Sequence, residues 1–188
     1  MGAELTLQQM RDAIAKLSKQ ASLVLLLGWY HAARAANAAD LKIEEMKIAP
    51  ATDLHPGDRG YQWSVTWMRA KTSAKVGPYT THSWISTEIF QMLTTAMEGR
   101  QSGHIVPKGE IPAVLKQVRE SLPPGYDLRS MRRGSLTALA KAGVPLDTVM
   151  TFSGHTTVKS LLRYLRRGMH AGDRINRGLA AARLALNN

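Results

Sequence analysis

The chain has 188 residues, the size of one ordinary domain, and 44% of them are hydrophobic, enough for a real core. It contains no cysteine, which excludes disulfides, thiolate zinc sites and cysteine nucleophiles. The net charge of +11 is uneven: residues 1–94 carry 10 basic and 8 acidic side chains (+2), and residues 95–188 carry 15 and 6 (+9). Such asymmetry favours a polyanionic partner, because each neutralised phosphate releases condensed counterions. The bland alternative is a basic solubility face or a structural RNA binder.

Taken in chain order, Thr6 is placed to cap a helix running to about Gln20, with Leu7, Met10, Ile14 and Leu17 on one face. Residues 1–22 lack the basic lead and cleavage pattern of a targeting signal. From Ala21 to about Ala33 a second helix is apolar nearly all round and is expected to be buried. Its run Leu23–Leu27 is far too short to cross a bilayer, so the expectation is a soluble intracellular protein (cytoplasmic, nucleoid-associated or nuclear) with no membrane partner. A short helix follows, with Asn37 as its N-cap. Then the texture changes. Met46–Ile48, Tyr61–Met68 and Gly77–His82 read as short strands, the second alternating large apolar residues with others at the period of a half-buried strand. Asp53–Gly60 is a loop and Arg69–Lys75 a turn. Trp63, Trp67, Tyr79 and Trp84 are packing residues in this reading, and His82 is structural.

Beyond Ser86 the chain is helical again: Ser86–Gly99, Ile111–Leu122, Ser130–Ala142 ending at Gly143, Leu146–Phe152, Thr157–Arg167 and Asp173–Leu186. The expected class is α+β, mainly α, with one small antiparallel three-stranded sheet inserted near the N-terminal third.

Polar groups concentrate at the helix ends. They are Arg129-Ser-Met-Arg132-Arg133-Gly134, then Ser153-Gly154-His155, then Leu162-Arg163-Tyr164, with His155 and Tyr164 nine residues apart. Arg132 is read as lying at the start of its helix, where backbone N–H groups also attract an anion. This segment resembles the catalytic domain of the tyrosine recombinases, the phage-integrase family. Arg132 matches the arginine of that family's H-x-x-R box, Ser153-Gly154-His155 its L-G-H box, and Tyr164 its nucleophile spacing. Upstream, Arg34 with Leu41 matches the family's first arginine. Lys71, with Lys75 second, matches its β-hairpin lysine. Two positions depart from the pattern: Arg129 stands where the first box has histidine, and Asn37 where an acidic residue is usual. An arginine at 129 can still hydrogen-bond a phosphate oxygen, but it cannot shuttle a proton near neutral pH.

The resemblance implies DNA strand transfer. Tyr164 would attack the scissile phosphate, Arg34 and Arg132 would clamp the non-bridging oxygens of a pentavalent phosphorane, and His155 would add a hydrogen bond. Lys71 would protonate the leaving 5′-oxygen, and the cations would favour the phenolate over a phenol of pKa about 10. The bond energy would be kept in a 3′-phosphotyrosine, so no metal, ATP or other cofactor is implied. Double-stranded DNA is the implied partner, contacted by Lys75, Arg133, Lys159, Arg163 and Arg166. A homo-oligomer, dimer or tetramer, is implied on that DNA. Residues 1–188 are read as this catalytic domain alone, without the family's N-terminal core-binding domain.

Each residue also has an ordinary reading. Arg34 can end a helix, Lys71 can be a solvated turn lysine, His155 a helix-boundary residue, and Tyr164 a rim residue. It is their joint spacing that separates recombinase, integrase or transposon enzyme from two alternatives. One is a degenerate DNA-binding module of the same fold; the other is a basic helical nucleic-acid binder. A type IB topoisomerase shares the chemistry but fits the short length less well.

Overall fold

The computed structural model describes residues 5–51, 59–155 and 157–165, with only the backbone of Lys71, Thr72 and Tyr164. Its centre is helix α2 (Lys19–Tyr30), the sequence's uniformly apolar stretch. Ala21 to Gly28 are all buried, because this helix packs against others on several sides. Full burial of each of its leucines contributes about 1.5–3 kcal/mol. Ser18 caps it, its side chain accepting the Ala21 N–H at 3.2 Å. The expected first helix is therefore cut short: α1 covers Leu7–Ala15, and Ser18 diverts the chain. At the other end of α1, Thr6 and Gln9 form a reciprocal capping box.

Helices α3 (Ala35–Asp40), α5 (Thr87–Met97), α6 (Ile111–Ser121) and α7 (Leu128–Lys141) surround α2. The approach of α7 is close enough to require Gly28. A Cβ there would lie 2.1 Å from the Met131 methyl carbon.

Strands β1 (Met46–Pro50), β2 (Gly60–Trp67) and β3 (Tyr79–Ser86) form an antiparallel sheet in the order β1-β2-β3. Met46 pairs with Val65, and Trp63 pairs with Ser83. Alternation along β2 buries Trp63, Val65 and Trp67. The opposite face is polar. There Ser64 Oγ lies 2.7 Å from His82 Nδ1, and the hydroxyls of Thr66 and Thr80 are 3.1 Å apart. Trp84 departs from the packing expectation: it is half exposed and covers Gly60 on the sheet.

Two expected boundaries are corrected. The Arg69–Lys75 turn is a short helix, α4 (Lys71–Val76), and it joins β2 to β3. Gly77, at φ +86°, ends that helix and Pro78 follows, so β3 starts at Tyr79 and runs four residues past His82. Arg69 anchors this connection to α3 through Asp40 Oδ2 (2.9 Å) and the Asp40 carbonyl (3.0 Å).

Helices α8 (Leu146–Ser153) and α9 (Val158–Leu165) pack on the second half of α7. They close a smaller core of Ala32, Leu136, Ala140, Val149, Leu161 and Leu165, separate from the main one. The expected helix over Asp173–Leu186 and most of the loop Asp53–Gly60 lie outside the described residues. Among the described residues, no helix is long and apolar enough to cross a membrane.

Candidate active site

The site forms where α2 ends. His31 closes that helix, and Ala32 takes the left-handed conformation at φ +49°, which carries the chain across to α3. That conformation costs an alanine about 1–2 kcal/mol, partly offset by its buried methyl group in the smaller core. Arg34 then serves as the N-cap residue of α3, and Asn37 sits inside the first turns of the helix. Asn37 is thus not the N-cap that the sequence suggested. The left-handed turn at Ala32 starts the helix before Asn37 is reached.

Helix α7 brings in Arg132. Asp127 caps this helix by accepting from Ser130 N at 2.6 Å and from Ser130 Oγ at 2.8 Å, which holds the Asp127 carboxyl below its usual range. The helix begins two residues earlier than expected. Arg132 therefore lies beyond the first turn, where the N-terminal backbone donors no longer act. Its guanidinium is held instead by two carbonyls: Nη1 donates to Ala32 and Nη2 to Ser153, the latter at 2.7 Å. The side chain is only 6% exposed, so these charge-assisted bonds fix its orientation.

Ser153 has a second role, which its place in the sequence did not reveal. Its hydroxyl lies 2.5 Å from His155 Nδ1. Between the two, Gly154 at φ +76° makes the left-handed turn that folds His155 back towards Ser153. Burial, then the positive charges of Arg132 and Arg34, push the His155 imidazole down to about 4. It is therefore neutral at pH 7, and both arginines act on it from other elements.

Arg34, Arg132 and Ser153 line one narrow cleft of about 10 Å³, together with His31, Asn37 and Tyr79. A larger concavity, about 850 Å³, lies over the polar outer face of the sheet, but it contains none of the sequence-identified site residues. Arg34 and Arg132 both line the smaller one. Two guanidinium groups beside a neutral imidazole suit a tetrahedral oxyanion.

The remaining candidates surround this cleft unequally. Arg129 lies one turn before Arg132 on α7 and is exposed. Lys71 opens α4, so the expected hairpin lysine is on a helix; Lys75, in its last turn, is exposed. Tyr164 lies in the last turn of α9, between the buried Leu161 and Leu165 in sequence. Lys159 and Arg163 are exposed on α9, Arg133 is half-buried on α7, and Arg166 lies outside the described residues. His31 was missed in the sequence because a histidine ending an apolar helix looks like core.

No protein-family model matches the chain, and no curated protein matches it by sequence. Solved structures do match by shape. The catalytic domain of bacteriophage HP1 integrase is 16% identical with a TM-score of 0.54, the match covering 88% of each chain. XerA recombinase is 11% identical with a TM-score of 0.61, over 94% of this chain and 62% of its own. The XerH site-specific recombinase, bound to a palindromic difH substrate in its post-cleavage complex, is 15% identical with a TM-score of 0.59. That match covers 96% of this chain and 53% of XerH, so the chain spans little more than half of the longer recombinases. With the element order and the sheet, these matches show that the chain has the fold of a tyrosine recombinase catalytic domain.

Proposed function

We propose that this chain is the strand-transfer domain of a site-specific recombinase or integrase, breaking and rejoining double-stranded DNA through Tyr164. The observation that carries the reading is that Arg34 and Arg132 line one cleft with Ser153, whose hydroxyl lies 2.5 Å from the Nδ1 of His155. Arg34, Arg132 and His155 come from α3, α7 and the turn after α8, and both arginines act electrostatically on the one imidazole. A phosphorane carries extra negative charge on its non-bridging oxygens, and positioned cations in a water-poor cleft stabilise it more than the ground-state diester. The carbonyl bonds of Arg132 leave its guanidinium preorganised, so little reorganisation is needed when that charge develops.

In this mechanism Tyr164 loses its phenolic proton to solvent, its Oη attacks the phosphorus, the P–O5′ bond breaks, and the 5′-oxygen leaves with a proton from Lys71. The 3′-phosphotyrosine is then attacked by the 5′-hydroxyl of a second strand, which restores the tyrosine. Lys75, Arg133, Lys159, Arg163 and Arg166 contact the DNA backbone, consistent with the +9 charge of residues 95–188. The active assembly is a dimer or tetramer on DNA. A second reading, a DNA-binding module without catalysis, draws on Arg129, which cannot take a proton from tyrosine near neutral pH.

One assay separates the two. The protein and a Tyr164→Phe variant are incubated with nicked suicide duplexes in EDTA and quenched with detergent. Strand transfer gives a covalent 3′ adduct with the parent and none with the variant. DNA binding without any adduct supports the module, and an adduct surviving in the variant removes Tyr164 as the nucleophile.

A further inference from the structure

One ring nitrogen of His31, a residue that lines the cleft, is buried without a hydrogen-bond partner among the described residues. His31 is 2% exposed, yet its Nε2 meets no donor or acceptor. Buried polar atoms are almost always satisfied, so an orphan beside a ligand cleft calls for an explanation. The ring is held firmly. It stands edge-on to Trp63 (centroids 4.5 Å apart, 87°) and lies stacked toward Phe152 (6.1 Å, 21°).

The other ring nitrogen bears on the tautomer. Nδ1 is 2.8 Å from Thr81 Oγ1, and that same oxygen accepts the Trp67 indole N–H at 2.9 Å. Indole can only donate, so it occupies a lone pair of the hydroxyl. The hydroxyl proton of Thr81 is free to be donated to His31 Nδ1. With Nδ1 accepting, the imidazole proton resides on Nε2, and the orphan is a donor. Burial, with a smaller contribution from His82, pushes the imidazole down to about 3, so the ring is neutral. A neutral donor suits a cleft that already holds two guanidinium groups, where a third cation would be repelled.

We propose that His31 is a further catalytic residue, its Nε2–H donating to a non-bridging oxygen of the phosphate held between Arg34 and Arg132. This rests on the phosphate reading of the cleft. In effect α2 supplies an imidazole donor in a site where α7 carries Arg129. The donor is fixed in place by the Thr81–Trp67 relay and can neither give up nor take a proton at working pH. It stabilises charge and is no proton shuttle.

Two measurements on the full chain test this. In the first, side-chain ¹⁵N spectra of the protein labelled at histidine and arginine are followed as orthovanadate, a mimic of the phosphorane, is added with a short duplex. The expected result is a protonated Nε2 and an accepting Nδ1 on His31 before addition. The Hε2 resonance should then shift saturably and stay still in an Arg132→Ala variant. A proton on Nδ1, a still His31 while the Arg34 and Arg132 guanidinium signals move, or no response anywhere in the cleft would each overturn the proposal. In the second, His31→Phe, which keeps a ring of similar shape, should lower the rate of covalent adduct formation by roughly 100-fold while DNA affinity is kept. His31→Gln should recover part of that loss. A folded His31→Phe protein reacting at the parental rate would overturn it. If the parent forms no adduct at all, strand transfer is the reading that fails, and the spectra alone then decide the role of His31.

Discussion

Leu161 tests whether α8 and α9 form a unit that opens by itself. Its side chain is fully buried in the smaller core, which has six buried members among the described residues, two of them alanines. Leu161→Ala removes one of the two buried leucines that α9 places there, and such truncations cost about 2–5 kcal/mol. Taking about 3 kcal/mol, with a factor of ten for each 1.4 kcal/mol, local opening should become roughly 100-fold more frequent. The main core is a separate cluster built on α2 and the inner face of the sheet, so it should barely respond. The assay is hydrogen exchange read by mass spectrometry. Peptides from α8 and α9 should exchange roughly 100-fold faster, with peptides from α2 and α5 unchanged. Adduct formation should fall more than DNA affinity, since α9 carries Tyr164. Equal acceleration in α2 and α9 would refute the reasoning, because the two cores would then be a single cooperative unit.

Two further outcomes are expected. Ser153→Ala removes the hydroxyl at His155 Nδ1 but keeps the carbonyl that receives Arg132, so adduct formation should slow by about 10-fold with DNA affinity retained; an unchanged rate would mean that the hydroxyl does not orient the ring. Stability should fall as the pH drops from about 6.5 towards 3, because the unfolded chain takes up protons that folded His31 (about 3) and His155 (about 4) refuse. The slope is at most about 1.4 kcal/mol per pH unit for each group, and His31→Phe should flatten the lower part of the acid limb in denaturant melts.

What the sequence revealed and what it hid have physical reasons. Helix α5 was legible because Ser86 is a strong side-chain cap and the apolar spacing after it is regular. The buried α2 was legible because nothing polar interrupts it. The start of α3 was not, since Arg34 makes no side-chain cap bond and the helix is set by a left-handed alanine, a conformation no pattern advertises. The link between β2 and β3 was read as a turn because six residues rich in Lys, Thr and Ser show no apolar period. Its helix is stabilised from outside, with the Ser73 hydroxyl bonded to the Trp67 carbonyl at 2.6 Å. At the site, Arg34, Arg132 and His155 were legible through their match to the recombinase pattern. Ser153 and His31 were not, because their roles depend on groups distant in the chain.

The two carbonyls that hold Arg132 belong to residues 100 positions before it and 21 after it. A nascent chain emerging from the ribosome therefore has Arg34 and the whole sheet long before it has a phosphate clamp. Two cations without their scaffold hold DNA only as loose counterions would. On the strand-transfer reading proposed above, the capacity to cut a strand arises late in synthesis, after α8 has followed α7 out.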